Sequence, residues 1–486
     1  MKKDYDVIVI GAGPGGSAAA AILAKAGKDV LLVDKNSSAG GRMRGIHRDG
    51  YNYELFPIHG LPFNNSQFDY VLDKIGKQDD ARKVHMSQFG MNTIMYFVTP
   101  DGEMTRWDQK NGFDAKFFEA LHVPMDDLAG MAKIQKLLKD MGTMPEEEIR
   151  KLENTPCTEF VDSYGEFPGM FRTFVLASFG EGAFEMTCDM VPASDMIRLF
   201  QIQARGGACR YYDGGICKAF ETFANSVEEN GGTVLYNTRV ENIRVVNGQV
   251  TGIILKNGEE YNAPVVISTA GIRQTVNQLV GSDKFDTAYV ERINSLVSGL
   301  ACIGLRYFLD AEVLESPQII YFPEGCLEPY AEFKKMAEEN RKPERNYIYL
   351  GTTSLYPNCA PKGKQLVYAV MSCMADPQID PEPYCEYIED VLRKIQPDLF
   401  DHIERREFMT PAQTVSVGTD AVDAHVGGEA YGIANAIGQA GADRPSAISP
   451  VKGLFYAGND AGGFGEGTHQ AVDSGVKVAE YIIANM

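Results

Sequence analysis

Positive charge is scarce in this chain. Its 486 residues carry 46 Lys and Arg against 66 Asp and Glu, a formal net charge of −20, which repels phosphate backbones and anionic lipid surfaces alike. Nucleic acid is not expected as a partner, and without a basic amphipathic helix any peripheral membrane contact is expected to be local and weak. Cysteine is sparse and scattered: there are nine, with no C-x-x-C pair and no clustering with the seven histidines. Zinc and iron–sulfur readings drop out, no metal is expected, and the odd count reads as reduced thiols in a cytoplasmic protein. Long apolar runs are missing too. The run at residues 7–10 is four residues long and follows Asp4 and Asp6, too short and too charged at its flank for a signal peptide. Nothing elsewhere approaches the roughly 20 apolar residues of a membrane span. No internal repeat is present, which argues against a solenoid.

What is present begins at residue 5. Residues 5–34 read as strand, glycine turn, alanine-rich helix and second strand, with Ala19, Ile22, Leu23 and Ala26 on one helix face at spacings of three and four. The turn Gly11-Ala12-Gly13-Pro14-Gly15-Gly16 has G-x-G-x-x-G spacing directly after a strand and at the opening of a helix. Gly11 permits the tight turn, Gly13 lets a pyrophosphate reach the backbone, and Gly16 lets helix and strand pack closely. Asp34 closes the second strand where a carboxylate accepts the hydroxyls of an adenosine ribose. The pattern identifies a dinucleotide site.

Further glycine-rich segments argue for FAD rather than NAD, because an extended flavin cofactor takes backbone contacts from several distant segments. Gly40-Gly41-Arg42 is one, Asp213-Gly214-Gly215 with a strand at residues 234–240 is a second, and Tyr456-Ala457-Gly458-Asn459-Asp460 is a third. Between them, residues 63–209 are mostly helical in pattern. Asn247-Gly248 and Asn257-Gly258 signal hairpins, residues 346–353 and 365–373 look like strands, and residues 384–394 look like a helix. The length suits two or three core-bearing units.

The fingerprint, the doublet, the Y-x-x-G-G at residues 211–215 and the terminal GLFYAGND followed by a glycine-rich turn and helix resemble the phytoene desaturase, carotenoid isomerase and retinol saturase group, within the glycine-doublet, amine oxidase-like flavoproteins. The resemblance covers about the first 75 residues, residues 205–285 and the last 60. It implies an α/β fold with a Rossmann-like FAD-binding domain made of residues 1–70, 205–285 and 430–486. A discontinuous, mixed α+β substrate domain with a helical part would comprise residues 71–204 and 286–429. On that carry-over Asp34 holds the adenosine ribose, Arg42 sits beside the pyrophosphate or flavin, Val240 meets the adenine, and Asp460 or its neighbour Asn459 binds the ribityl or phosphate part. Gly15, Lys35, Ala270, Gly458, Gly467 and Thr468 are the remaining expected contacts.

The turn GGFGEGTHQ at residues 462–470 carries the candidate chemistry. The final helix begins near Thr468, and its positive end would lie against the flavin N1 and C2 carbonyl. Glu466 and His469 stand there as candidates to handle a proton, against the plainer reading of a helix cap and a structural histidine. His47, Tyr53, Glu54 and His59 follow the doublet, and Tyr53 is the third candidate for the catalytic set. The expected activity is oxidation or reduction of carbon–carbon bonds in a largely apolar substrate, conjugated or isoprenoid-like. An amine oxidase is the alternative, weakened because those enzymes frame the flavin with aromatics and the single tryptophan, Trp107, lies outside the cofactor segments. A non-catalytic FAD-fold escort protein is the third reading. No second nucleotide fingerprint marks an NAD(P)H site, so the electron partner and the oligomeric state stay open.

Overall fold

The computed structural model describes residues 3–56, 66–78, 86–87, 93–109, 114–206 and 211–486. Its centre is a five-stranded, wholly parallel sheet in the order Leu454–Tyr456, Val265–Ser268, Val7–Ile10, Val30–Val33, Thr233–Leu235. Strands buried on both faces read as continuous apolar runs rather than alternating ones, and the two central strands are VIVI and VLLV. Alternation still sorts their side chains. Val7, Val9, Val30 and Leu32 join the cluster formed with the helices, whereas Ile8, Ile10, Leu31 and Val33 pack against the antiparallel sheet Val240–Val246, Gln249–Leu255, Glu260–Asn262.

The helix Pro14–Lys25 follows the glycine turn with proline at its start, where the missing N–H costs nothing. The expected single apolar face is corrected here. Every residue from Gly15 to Ala24 is buried, and Ala26 is exposed. The helix is enclosed by the sheet, the helix Cys217–Glu229 and the terminal helix Gly467–Asn485, which is why it is built from alanine and glycine. The hairpin readings divide. Asn247 and Gly248 both take positive φ, +51° and +74°, as a two-residue turn requires. At the second site only Gly258 does so, and the Gly258 N–H bonds to Leu255 O while Leu255 N–H bonds to Glu259 O, a longer loop closed by a left-handed glycine. The strand expected at 234–240 is also two pieces: the chain leaves the parallel sheet after Leu235 and enters the antiparallel one at Val240.

The second large element is a seven-stranded sheet in the order Ile403–Met409, Ala301–Leu309, Gln365–Cys373, Ile348–Gly351, Gln318–Pro323, Thr93–Val98, Met104–Asp108. It is antiparallel except where Gln318–Pro323 meets Thr93–Val98. One face, with Ile303, Leu305, Val367 and Ala369, is covered by the helix Glu382–Ile395. The other, with Cys302, Tyr349, Tyr368 and Val370, turns toward the parallel-sheet unit. Helices between residues 115 and 206 pack on Met95, Phe97, Phe322 and Tyr347 at the same sheet. Trp107 is buried there against Phe117, ring centroids 4.7 Å apart. No helix among the described residues is long and apolar enough to cross a membrane.

Candidate functional site

An open cleft of about 1260 Å³ lies outside the carboxyl ends of the parallel strands, where open α/β sheets bind ligands. Within it two backbone turns approach each other closely. A methyl group built on Gly13 meets no protein atom nearer than Gly41 Cα at 3.9 Å, and one built on Gly41 meets Gly13 Cα at 3.2 Å. Each would fill the slot between the fingerprint and the doublet. The Gly40 N–H, bonded to Ala12 O at 2.8 Å, holds the two turns in this relation. The neighbouring glycines serve packing instead. A methyl on Gly16 would stand 1.9 Å from Gly11 O, and one on Gly15 would stand 2.6 Å from Ala471 O on the terminal helix.

At one end of the cleft sits Asp34, buried at 5% exposure. Its two oxygens accept the N–H groups of Ala12 at 2.6 Å and Asn36 at 2.7 Å, which oppose the upward pull of burial on its carboxyl. Each oxygen retains acceptor capacity for a ribose diol. Across from it a strap at residues 417–420 is tied down by Lys35 to Asp420 at 2.5 Å, Arg239 to Asp420 at 2.6 Å, Gln274 to Asp420 O at 2.6 Å and Asn36 to Val417 O at 2.8 Å. The two cations hold the Asp420 carboxyl below its ordinary range despite partial burial. Val240 and Ala270 line the walls between these points.

At the other end, Asp460 accepts the N–H groups of Ile272 at 2.8 Å and Ile433 at 3.0 Å, so its carboxylate anchors two cleft-lining segments. Asn459 is buried with its side-chain oxygen unpartnered, and its carbonyl accepts from Arg444. Arg444 itself is half-buried, and its enclosure by protein pushes its guanidinium down to about 10. Arg42 donates to Glu429 O at 2.9 Å, tying the doublet to the far wall. Gly458 lies at the cleft wall, and Gly467 and Thr468, at the start of the terminal helix, close this end with Met43, Phe56, Ala430 and Tyr431. A methyl on Gly467 would stand 2.6 Å from the Tyr431 ring, so only glycine admits that ring.

The three residues singled out for chemistry part company. Glu466 occupies the cap position of the terminal helix but makes no side-chain cap bond. Its carbonyl accepts the His469 N–H at 2.9 Å, its carboxyl has no hydrogen-bond partner among the described residues, and burial pushes that carboxyl up to about 7. His469 is turned away from the cleft, packed edge-on against Phe68 at 5.2 Å with Nε2 unpartnered, and burial pushes it down to about 4. Tyr53 is not brought to the cleft either. It packs against Phe308 at 5.8 Å, beneath the Arg306 guanidinium at 4.7 Å, because the alternation of the strand Tyr51–Glu54 turns it to the seven-stranded sheet.

The Asp213-Gly214-Gly215 turn does not line the cleft. A methyl on Gly215 would meet Glu54 Oε1 at 2.6 Å, and Glu54, buried and bonded by the Tyr211 hydroxyl and the Cys217 N–H, clamps the hairpin to that turn. His59 and Cys209 lie outside the described residues, and the eight described cysteines are free and buried. Sequence reasoning missed Arg239, Gln274, Asp420, Tyr431 and Arg444. Gln274 ends the short helix Ile272–Gln274 and the others stand in loops; none belongs to a motif, and Arg239, Gln274, Asp420 and Tyr431 meet the cleft only through tertiary folding. The Asp49-Gly50 turn, both φ positive, is a further hairpin turn, missed from the sequence although Asp-Gly signals one.

Residues 15–483 match the family described as flavin containing amine oxidoreductase. The chain belongs to that family. It is 26% identical to a phytoene desaturase of Neurospora crassa over 76% of this chain and 65% of that protein, and 22% identical to a 4,4'-diaponeurosporene oxygenase of Staphylococcus aureus over 83% of this chain and 84% of the other. The chain thus spans just under two thirds of the length of that desaturase. Among solved structures it matches a putrescine oxidase bound to putrescine, with a TM-score of 0.69, 14% identity and full coverage of both chains, a likeness of fold. The chain is thus a member of a flavin-containing oxidoreductase family with a Rossmann-like α/β fold, and a flavin held in a dinucleotide cleft is FAD. The residues fit that cofactor: the Gly13–Gly41 slot, the free acceptor capacity of Asp34, the unpartnered Asn459 oxygen and the first turn of the terminal helix, which no side chain caps, each offer what one part of it needs.

Proposed function

We propose that this flavoprotein oxidises or reduces carbon–carbon bonds of a largely apolar molecule, conjugated or isoprenoid-like. The supporting observation is the cleft end at Gly467, where Met43, Phe56, Ala430 and Tyr431 make an apolar, aromatic wall beside one unpartnered carboxyl, Glu466. Bound FAD supplies hydride exchange at flavin N5. The chain's own share is to hold the substrate against that face by apolar contact, exclude water, and move the companion proton. Glu466, held near neutrality by its enclosure, suits that task because a proton carrier works best with its pKa near the working pH. The opening turn of the terminal helix, at the cleft end, would stabilise the negative charge that a flavin gathers on reduction. Desaturation, saturation and isomerisation use the same groups. An apolar substrate would arrive from a carrier or a membrane surface, and the net charge keeps contact with the latter weak.

Adding enones, polyenes and isoprenoids to the anaerobically reduced protein is the test. Oxidation of the flavin or isomerisation of a panel member is expected, and a silent panel overturns the reading. An amine oxidase is the second reading, favoured by Tyr431 standing over Gly467; peroxide release with simple amines in air would establish it.

A further inference from the structure

Away from the cleft, the hairpin that follows the glycine doublet meets the helix Cys217–Glu229 in a cluster with no assigned purpose. His47 stands on the strand Gly45–Arg48, and Cys217 and Glu221 stand four residues apart on the helix, a spacing that puts both on one helix face. One donor atom from each of the three lies within 4.8 Å of the others. Among the described residues this is the one group of three histidine, cysteine or carboxylate side chains close enough to share a cation. The expectation of no metal rested on spacing along the chain, and folding brings together residues far apart in it.

The neighbours of the cluster orient it as the outer groups of a metal site do. Asn52, directly across the hairpin from His47, donates its amide N–H to Asn358 O at 2.6 Å, which turns its oxygen to His47 Nδ1, also at 2.6 Å. Nδ1 must then carry the proton, and Nε2 of the neutral ring presents its lone pair to Glu221 and Cys217. Lys218 donates to Glu221 Oε2 at 2.7 Å and leaves Oε1, which lies 3.5 Å from His47 Nε2. That separation is the outer limit of a hydrogen bond, but it matches one edge of a tetrahedral shell, since bonds of about 2.0–2.2 Å put nitrogen and oxygen roughly 3.4 Å apart. A methyl on Gly45 would stand 2.5 Å from Cys217 Sγ and 3.2 Å from His47 Nε2, so glycine there keeps thiol and imidazole open to one another. The thiol is fully buried, whereas the side chains of His47 and Glu221 are 45% and 27% exposed, which gives a cation its way in and lets the two outer ligands make the adjustment, on the order of 1 Å, that closes the shell around sulfur.

We propose that His47 Nε2, Cys217 Sγ and Glu221 Oε1 form a binding site for a divalent cation of the zinc class, with the fourth position left to water. The donor set decides the class: thiolate and imidazole favour zinc and its neighbours, while magnesium and calcium take oxygen. Burial, with the Glu54 and Glu221 carboxylates, pushes the thiol up, so the empty site holds a neutral thiol in an acidic surrounding. A bound cation reverses that balance, the thiol proton passes to solvent, and the imidazole and carboxylate bind as they stand. The cation would staple the hairpin to the helix from the solvent side, as Glu54 clamps the same two pieces from the buried side. The role is structural and does not depend on the reaction performed in the cleft.

The test uses the full FAD-loaded chain without a purification tag, dialysed against a chelator and titrated with Co²⁺ and then Zn²⁺. One cobalt per chain is expected, with the intense visible bands of four-coordinate, thiolate-bound cobalt to the red of the flavin absorption, and zinc should displace it one for one. Zinc should also raise the melting temperature, and chelator should reverse the rise. C217S should lose the cobalt bands and at least about 100-fold in zinc affinity, and N52A, which leaves all three ligands in place, should lose about tenfold, with FAD content unchanged in both. Absence of the bands together with an unmoved melting temperature overturns the site. Zinc binding that C217S leaves unchanged marks an adventitious ion only and overturns it equally. If C217S fails to fold, H47Q on the exposed strand carries the test: loss of the bands is expected, and unchanged bands overturn the proposal.

Discussion

The two ends of the working region are made of different material. Around the slot between Gly13 and Gly41 the contacts are main chain, the side chains are missing, and the specificity lies in where backbone N–H groups and carbonyls stand. At the Gly467 end they are side chains: the apolar and aromatic wall of Met43, Phe56, Ala430 and Tyr431, and the Glu466 carboxyl. Holding a cofactor common to many chemistries needs a reproducible backbone shape. Acting on one substrate needs side chains that can differ between relatives.

That contrast can be broken at several points. The largest effect is expected from Gly16→Ala, whose new methyl meets the Gly11 carbonyl at 1.9 Å. Overpacking typically costs about 1–3 kcal/mol, and with a backbone carbonyl as the obstacle the upper end is expected, so thermal unfolding should fall sharply with or without cofactor. Glu466→Gln should slow turnover by about 100-fold or more while FAD content stays at wild-type level; a mutant at full rate would end its catalytic assignment. Gly13→Ala offers the counterpart to the first. Its methyl meets only Gly41 Cα, at an unstrained 3.9 Å, so the apoprotein should melt as wild type while FAD binding weakens by at least tenfold in a fluorescence titration.

A smaller effect separates the regions by pH. Glu466 binds its proton more tightly folded than unfolded, so the stability it contributes is full below about 4.5 and is lost as pH rises through about 7. The loss is at most about 3 kcal/mol by linkage. His469 runs the other way: its folded value near 4 means stability grows as pH rises from about 4 to 6.5. In the apoprotein, E466Q should therefore flatten the decline in melting temperature above pH 5, and His469→Phe should flatten the rise below it.

The same contrast explains what could be read from the chain. The strand, glycine turn, helix and acidic strand end are contiguous, so residues 7–34 disclosed both the parallel sheet and the nature of its ligand. The doublet and the terminal glycines were legible because only a close backbone approach explains them. Tyr53 and His469 misled for a shared reason: polar residues near a motif invite a role, but strand alternation and helix rotation turned both into the core. The meeting of His47 with Cys217 carried no signal at all, since the two lie more than 150 residues apart. Gly214 and Gly215 showed that a glycine pair is equally at home around a buried carboxylate, that of Glu54.

The strap at residues 417–420 has a consequence for the protein's life history. It is fastened by Lys35 and Arg239 converging on Asp420, all partly solvent-exposed, and ion pairs of that kind weaken as salt screens them. The Asp34 end of the cleft, where the adenosine is expected, is thus shut by a latch that brine can loosen. Apoprotein should be recoverable by dialysis against concentrated salt rather than denaturant, and Asp420→Asn should release FAD at a few-fold lower ionic strength, read as flavin fluorescence in the dialysate. A protein fastened in this way would be assembled first and charged with its cofactor afterwards.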